Sequence, residues 1–172
     1  MNLLQPHKSS NDVVVIDGVI HWVAYDPEFE RQNWIITFDL TSEEFGKVDH
    51  PDSLVGFTHL DISNLKESLV VLHYYIGDAG GWVCDIWMML KNGVLKCSFK
   101  KLSSVSVMHY SITGFRKNGQ PILGGDGELE VFEPGSKRMN GLGVYGYVFK
   151  MASYTKSLLL NHPDSIVHHD DN

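Results

Sequence analysis

His21-Trp22 is the first place in this 172-residue chain where side-chain types suggest chemistry, since an imidazole beside an indole could act as a base in an apolar pocket. The pair sits inside Val19-Ile20-His21-Trp22-Val23-Ala24-Tyr25, however, where strand alternation turns one residue outward and buries the other. Packing is the better account, with the imidazole accepting a backbone hydrogen bond. His73, in Leu72-His73-Tyr74-Tyr75, reads the same way. His162, His168, His169, Asp170 and Asp171 offer metal-ligand types, but a terminal polar tail supplies no fixed geometry, and a disordered tail is the better reading. Cys84 and Cys97 have no CxxC partner or spaced histidine and read as small buried apolar residues. Gly124-Gly125-Asp126-Gly127 resembles a phosphate loop only superficially, because that chemistry needs a helix N-terminus and a following lysine, and here a strand follows.

No Gly-x-Ser-x-Gly elbow, His-Glu-x-x-His sequence or paired-carboxylate arrangement can be assigned, and pairs such as Glu43-Glu44 fall in turns where acidic side chains are solvated. No catalytic, cofactor-binding or metal-ligating residue is therefore predicted, and no cofactor. The candidates that remain are contact residues in loops. Asp26 to Asn33 combines charge with Phe29 and Arg31, and the glycine-rich stretch from Gly77 leads into Trp82. Loops on a rigid β scaffold commonly carry binding, and tryptophan and arginine are frequent interface anchors.

The elements that would position these residues are strands. Val13 to Ile16 meets Asp17-Gly18, a strong hairpin signal, and continues through Tyr25. Trp34 to Leu40, Phe45 to Val48, Leu60 to Ile62, Leu69 to Tyr75, Trp82 to Leu90 and Val94 to Leu102 read as further strands, the last two joined by a turn at Asn92-Gly93. Ser111 to Phe115 and Gln120 to Leu123 flank Asn118-Gly119, and Glu128 to Phe132 precedes a turn at Pro134-Gly135. The final ordered segment is predicted at Tyr147 to Leu160, and no helical period extends beyond about two turns.

Three stretches superimpose: Ile16 to Leu40, Asn64 to Met89, and Lys117 to Pro134. Each is a tight turn, an apolar run, a loop and a second apolar run with an aromatic near its end. Phe38, Trp87 and Phe132 recur at intervals of about 45 to 50 residues, the period of kelch or WD blades. The expected fold is all-β, a partial β-propeller of kelch-like antiparallel blades with about three units.

The net charge of −7 argues against nucleic-acid binding, and the lysines between Lys96 and Lys101 read as the solvated side of a strand. Two cysteines do not make a disulfide framework, the first twelve residues lack a signal-peptide core, and no run reaches membrane-spanning length. No membrane association and an intracellular location, cytoplasm and/or nucleus, are expected.

Val19 to Tyr25, Ile35 to Phe45, Asp85 to Met89 and Gly127 to Phe132 resemble, in order and spacing, the F-box associated domain of plant F-box proteins, often called F-box/kelch-repeat proteins. Tyr154-Thr155-Lys156-Ser157-Leu158 is similar to that family's closing Tyr-x-x-Ser-Leu pattern. The resemblance implies a kelch-like β domain over residues 13–160, with a short polar segment at 1–12 and a polar, disordered tail at 161–172. It implies a protein-binding substrate-recognition module of Skp, cullin and F-box ubiquitin ligases, not itself an enzyme. The F-box is absent, so the chain looks like the C-terminal part of such a protein, and the Skp adaptor and cullin would join only if a longer product supplied one. The implied partner is a target protein for ubiquitination. A truncated or diverged target-binding protein without ligase coupling is the alternative, ahead of a propeller glycosidase, whose clustered carboxylates cannot be found. Three units leave sheet edges open, which predicts marginal stability or aggregation of the isolated chain.

Overall fold

The computed structural model of the chain describes residues 5–6, 13–25, 33–49, 51, 54, 60–92, 96–107, 111–125 and 127–146. It is all-β, with three antiparallel sheets and no α-helix among the described residues.

The first sheet holds β1 (Gln5–Pro6), β2 (Val13–Ile16), β3 (Val19–Tyr25), β4 (Asn33–Asp39) and β5 (Phe45–Val48). Asp17 and Gly18 both take the left-handed conformation, φ 51° and 78°, which a two-residue hairpin loop requires and which Asp-Gly supplies cheaply. β2 alternates as its sequence predicts: Val14 and Ile16 are buried, Val13 and Val15 exposed. The polar N-terminal segment adds a short bridge, Gln5 opposite Tyr25 and Pro6 opposite Ala24. Between β4 and β5 the Asp39 carboxylate accepts the Thr41 and Ser42 N–H groups at 2.7 and 3.1 Å, which favours the tight turn over continued pairing.

The second sheet runs in chain order through β6 (Leu60–Leu65), β7 (Ser68–Ile76), β8 (Trp82–Asn92) and β9 (Lys96–Ser106). Leu69, Val70, Val71 and Leu72 are all buried because this sheet is covered on both faces. Leu69 and Val71 join Val14, Ile16, Val23 and Ile35 of the first sheet in one core. Val70 and Leu72 join Ile112, Leu123 and Phe132 of the third sheet in another. β9 begins at Lys96, paired with Asn92; the predicted turn at Gly93 and strand start at Val94 fall on residues outside those described.

The third sheet comprises β10 (Ser111–Phe115), β11 (Pro121–Gly124), β12 (Glu128–Glu133) and β13 (Arg138–Tyr145). β13 corrects the sequence reading, which passes from Pro134-Gly135 to a final segment at Tyr147 to Leu160; that segment lies outside the described residues. Gly141 and Gly143 hide this strand, since both depress strand propensity. What compensates is Glu128, whose carboxylate accepts the Gly143 N–H at 2.6 Å and the Tyr145 hydroxyl at 3.2 Å across the irregular pairing. A side chain at Gly141 would run into that carboxylate.

The three sheets meet through their leading strands: β2 and β3 lie against β6, and β10 lies against β6. Phe38, Trp87 and Phe132 occupy the third of four consecutive strands in their sheets. Trp87 packs toward the first sheet and Phe132 toward the second, so each points at the sheet before it. Phe38 shares its side with Ile20 and Val15, opposite to the buried Val14 and Ile35, and so points out of the stack.

Candidate functional site

Trp82 opens β8 opposite Ile76, the last residue of β7, at the tip of the second sheet's central hairpin. Both side chains remain exposed, by 39% and 63%. The intervening loop is small but ordered by its backbone: Gly77 N–H donates to Gly81 O and Gly80 N–H to Gly77 O, each at 2.9 Å, with Gly80 at φ 78°. The Trp82 carbonyl accepts the Val107 N–H at 2.9 Å, fixing the strand end beneath the indole. The result is an apolar projection on a hydrogen-bonded base, suited to burying an indole in a partner. The other two predicted contact residues, Phe29 and Arg31, lie outside the described residues, so only Trp82 is placed.

A polar cluster that sequence reading missed lies on the face of the second sheet turned toward the first. Asp85 is buried, its Oδ2 lies 2.6 Å from Lys101 Nζ, and its Oδ1 accepts the Tyr75 hydroxyl at 3.3 Å. Tyr75 stacks on His73 with centroids 5.0 Å apart, and His73 sits directly across from Asp85. Partial desolvation, then the neighbouring Asp85 charge, raise the Tyr75 phenol above its ordinary value. The register shift between Ile86 and Trp87 brings Lys101 onto the Asp85 side, with its ammonium 5.9 Å from the Trp87 ring centroid. Lys101 is exposed, as Lys100 is, in keeping with a solvated strand face, and in addition its ammonium pairs with a buried carboxylate. The signal was an aspartate amid Val83-Cys84-Asp85-Ile86-Trp87, where a charge in an apolar run needs a partner. Chemically the carboxylate is engaged on both oxygens, and what the cluster offers solvent is an ammonium beside an indole.

His21 is buried and its Nδ1 donates to Val19 O at 3.0 Å, so the predicted backbone bond exists with the imidazole as donor and not acceptor. Trp22 is half-buried on the opposite side of β3. Among the described residues no group of three or more His, Cys, Asp or Glu could hold a metal ion, and the histidines of the terminal tail lie outside that set.

Cys84 is a free, buried thiol, and burial pushes its pKa far up. Tyr74 beside it is raised as well, first by burial and then by Cys84, while its hydroxyl oxygen accepts the Ile112 N–H at 3.1 Å and ties the second sheet to the third. Both groups stay protonated in the folded chain at pH values where the unfolded chain releases its protons, starting near pH ~8.5 for cysteine and ~10 for tyrosine. Stability is therefore full below that range and is lost as pH rises. Urea unfolding at pH 7.5 and 10.5 should show a loss on the order of 2 kcal/mol. Cys84→Ala should remove most of this alkaline loss, whatever constant penalty the smaller side chain brings; an unchanged pH profile in that variant would refute the assignment.

No protein-family model matches the chain, no curated protein matches it, and no solved structure matches it. Among the described residues no helix is long and apolar enough to cross a membrane, which leaves β-barrel insertion unaddressed.

Proposed function

We propose that the chain is a non-enzymatic protein-recognition module, built as part of a kelch-like β-propeller, that selects target proteins in the manner of the F-box associated domain it resembles. The observation that carries recognition is the exposed Trp82 and Ile76 tip held on an ordered strand end. Large apolar side chains projecting from a rigid sheet lose little conformational freedom on binding, which is the economy of an interface anchor. The propeller reading draws support from three antiparallel sheets, the first with β1 as an extra strand, that adjoin through β2, β6 and β10 and carry an aromatic on the third of four consecutive strands. Coupling to ubiquitin transfer would require an F-box from a longer product, which would bring in the Skp adaptor and cullin. The alternative, target binding without ligase coupling, uses the same surface.

The test is affinity capture from plant extract with the wild-type chain, Trp82→Ala, and a fusion carrying an F-box. Specific partners should be retained by the wild type and reduced at least ~10-fold by the substitution, as for an interface hot spot. The Skp adaptor should appear only with the fusion. Identical partner sets for wild type and Trp82→Ala would overturn the recognition surface. Adaptor recruitment by the fusion without ubiquitination of any retained partner would favour the uncoupled alternative.

A further inference from the structure

The stacking pattern leaves two outer sheet faces without a counterpart sheet among the described residues, and of these only the first sheet's carries a row of large exposed apolar side chains. In the second and third sheets, the side bearing the third-strand aromatic is the side seated on the preceding sheet. Ile62 and Val71, on the Trp87 side of the second sheet, are completely buried in that contact. The same side of the first sheet carries Val15, Ile20, Phe38 and Phe45 in one cross-strand row, with Val13, Trp22 and Ile36 in the next. Val13, Val15 and Phe45 are exposed by 55%, 56% and 73%. The aromatics already pack on one another: Phe38 and Phe45 centroids lie 4.9 Å apart, and Phe45 meets Trp22 edge-on at 6.3 Å. Charge on this face is confined to its β5 edge, where Lys47, opposite Ile36, lies over the Trp34 ring at 3.1 Å from its centroid and pairs with Asp49 at 3.4 Å.

We propose that this face seats the same face of a second copy of the chain, giving a two-fold dimer in which the two first sheets pack front to front. Two features select that occupant. The face is apolar and nearly free of charge, which fits another apolar sheet face and not a peptide strand or a charged partner. A head-to-tail stack would instead present the outer face of the third sheet, but Ile122, Leu129 and Val131 there are only 6%, 6% and 2% exposed and already covered. The first sheet's own face is the open apolar partner that remains, and a surface that meets itself closes by two-fold symmetry without propagating. Aligned packing of twisted sheets, about 10 Å apart and crossed by about 30°, is the geometry already suited to such faces.

Size sets the expected strength. Four strands spaced about 4.8 Å apart and about five residues long outline roughly 300 Å2, and side-chain relief brings the area lost by both copies to about 1,000 Å2, the lower bound of specific interfaces. A contact at that lower bound belongs with weak, transient interfaces, and dissociation in the micromolar range is expected. This inference does not depend on Trp82, since it concerns the opposite side of the first sheet from the core; it applies to the 172-residue chain, because in a longer propeller product the same face would seat a preceding blade.

Sedimentation velocity of the full chain between ~1 and ~200 µM is the test, a range chosen to bracket micromolar dissociation. Mass should rise with concentration from 19.4 kDa toward twice that value. Val15→Lys and Phe45→Lys, both on exposed positions, should remain monomeric at the highest concentration with unchanged circular dichroism. Val144→Lys, an equally apolar and exposed position on the third sheet, should dimerise as the wild type does. A wild-type monomer throughout, an open-ended series of larger species, or a dimer that survives both lysine substitutions would each overturn the proposal.

Discussion

Leu72→Ala is expected to lower the unfolding free energy by ~2–5 kcal/mol, the range for emptying a buried leucine site. Leu72 is 2% exposed and packs between the second and third sheets, with Ile86, Val105 and Leu123 around it. These neighbours belong to strands pinned in paired ladders, so the site cannot collapse onto the void without breaking register. The second sheet is shared by both cores, and Leu69→Ala on its other side should therefore weaken the same cooperative transition by a similar amount. Urea denaturation followed by tryptophan fluorescence and by far-ultraviolet circular dichroism should give coincident curves for both variants, displaced to lower urea with unchanged slope. Val144→Ala, on an exposed strand, should stay within about 0.5 kcal/mol of wild type. If Leu72→Ala unfolded in two steps while Leu69→Ala unfolded in one, the second and third sheets would be separate folding units, and the continuous stack would be wrong.

That stack was legible in outline because its strands announce themselves. Asp17-Gly18 could form only a tight hairpin between two β-branched runs, and the structure places it there. Leu69 to Leu72 was readable as a strand but not as one buried on both faces, since a continuous apolar run has the same appearance whether its two sides meet one core or two. β13 was missed because its pairing depends on a distant carboxylate, Glu128, clasping glycines that locally argue against a strand. The Trp82 hairpin tip was half legible: Trp82 beside a glycine run stood out, whereas its companion Ile76 is an ordinary strand residue until register sets it opposite. The Asp85 cluster was the least legible, because Lys101 reaches Asp85 only through an irregular pairing that composition does not reveal.

The same cluster supplies the second large effect, and its asymmetry is the point. Lys101→Met should destabilise the chain by roughly 2 kcal/mol at neutral pH, below the 3–5 kcal/mol of a fully buried pair because the lysine side chain is itself 40% exposed. It leaves the Asp85 carboxylate, only 10% exposed, with the Tyr75 hydroxyl as its remaining named partner. Asp85→Asn should cost less, about 1 kcal/mol, because the amide oxygen can still accept from Tyr75 while the Lys101 ammonium turns to water. The double variant should be less damaging than the sum of the two, since removing both charges strands neither. Urea midpoints for the four proteins complete the cycle. Strict additivity in the double, whatever the sizes of the single penalties, would mean that the ammonium and carboxylate do not depend on one another. Asp85 would then be held by its ladder position alone, and Lys101 would be no more than the solvated strand lysine its sequence suggested.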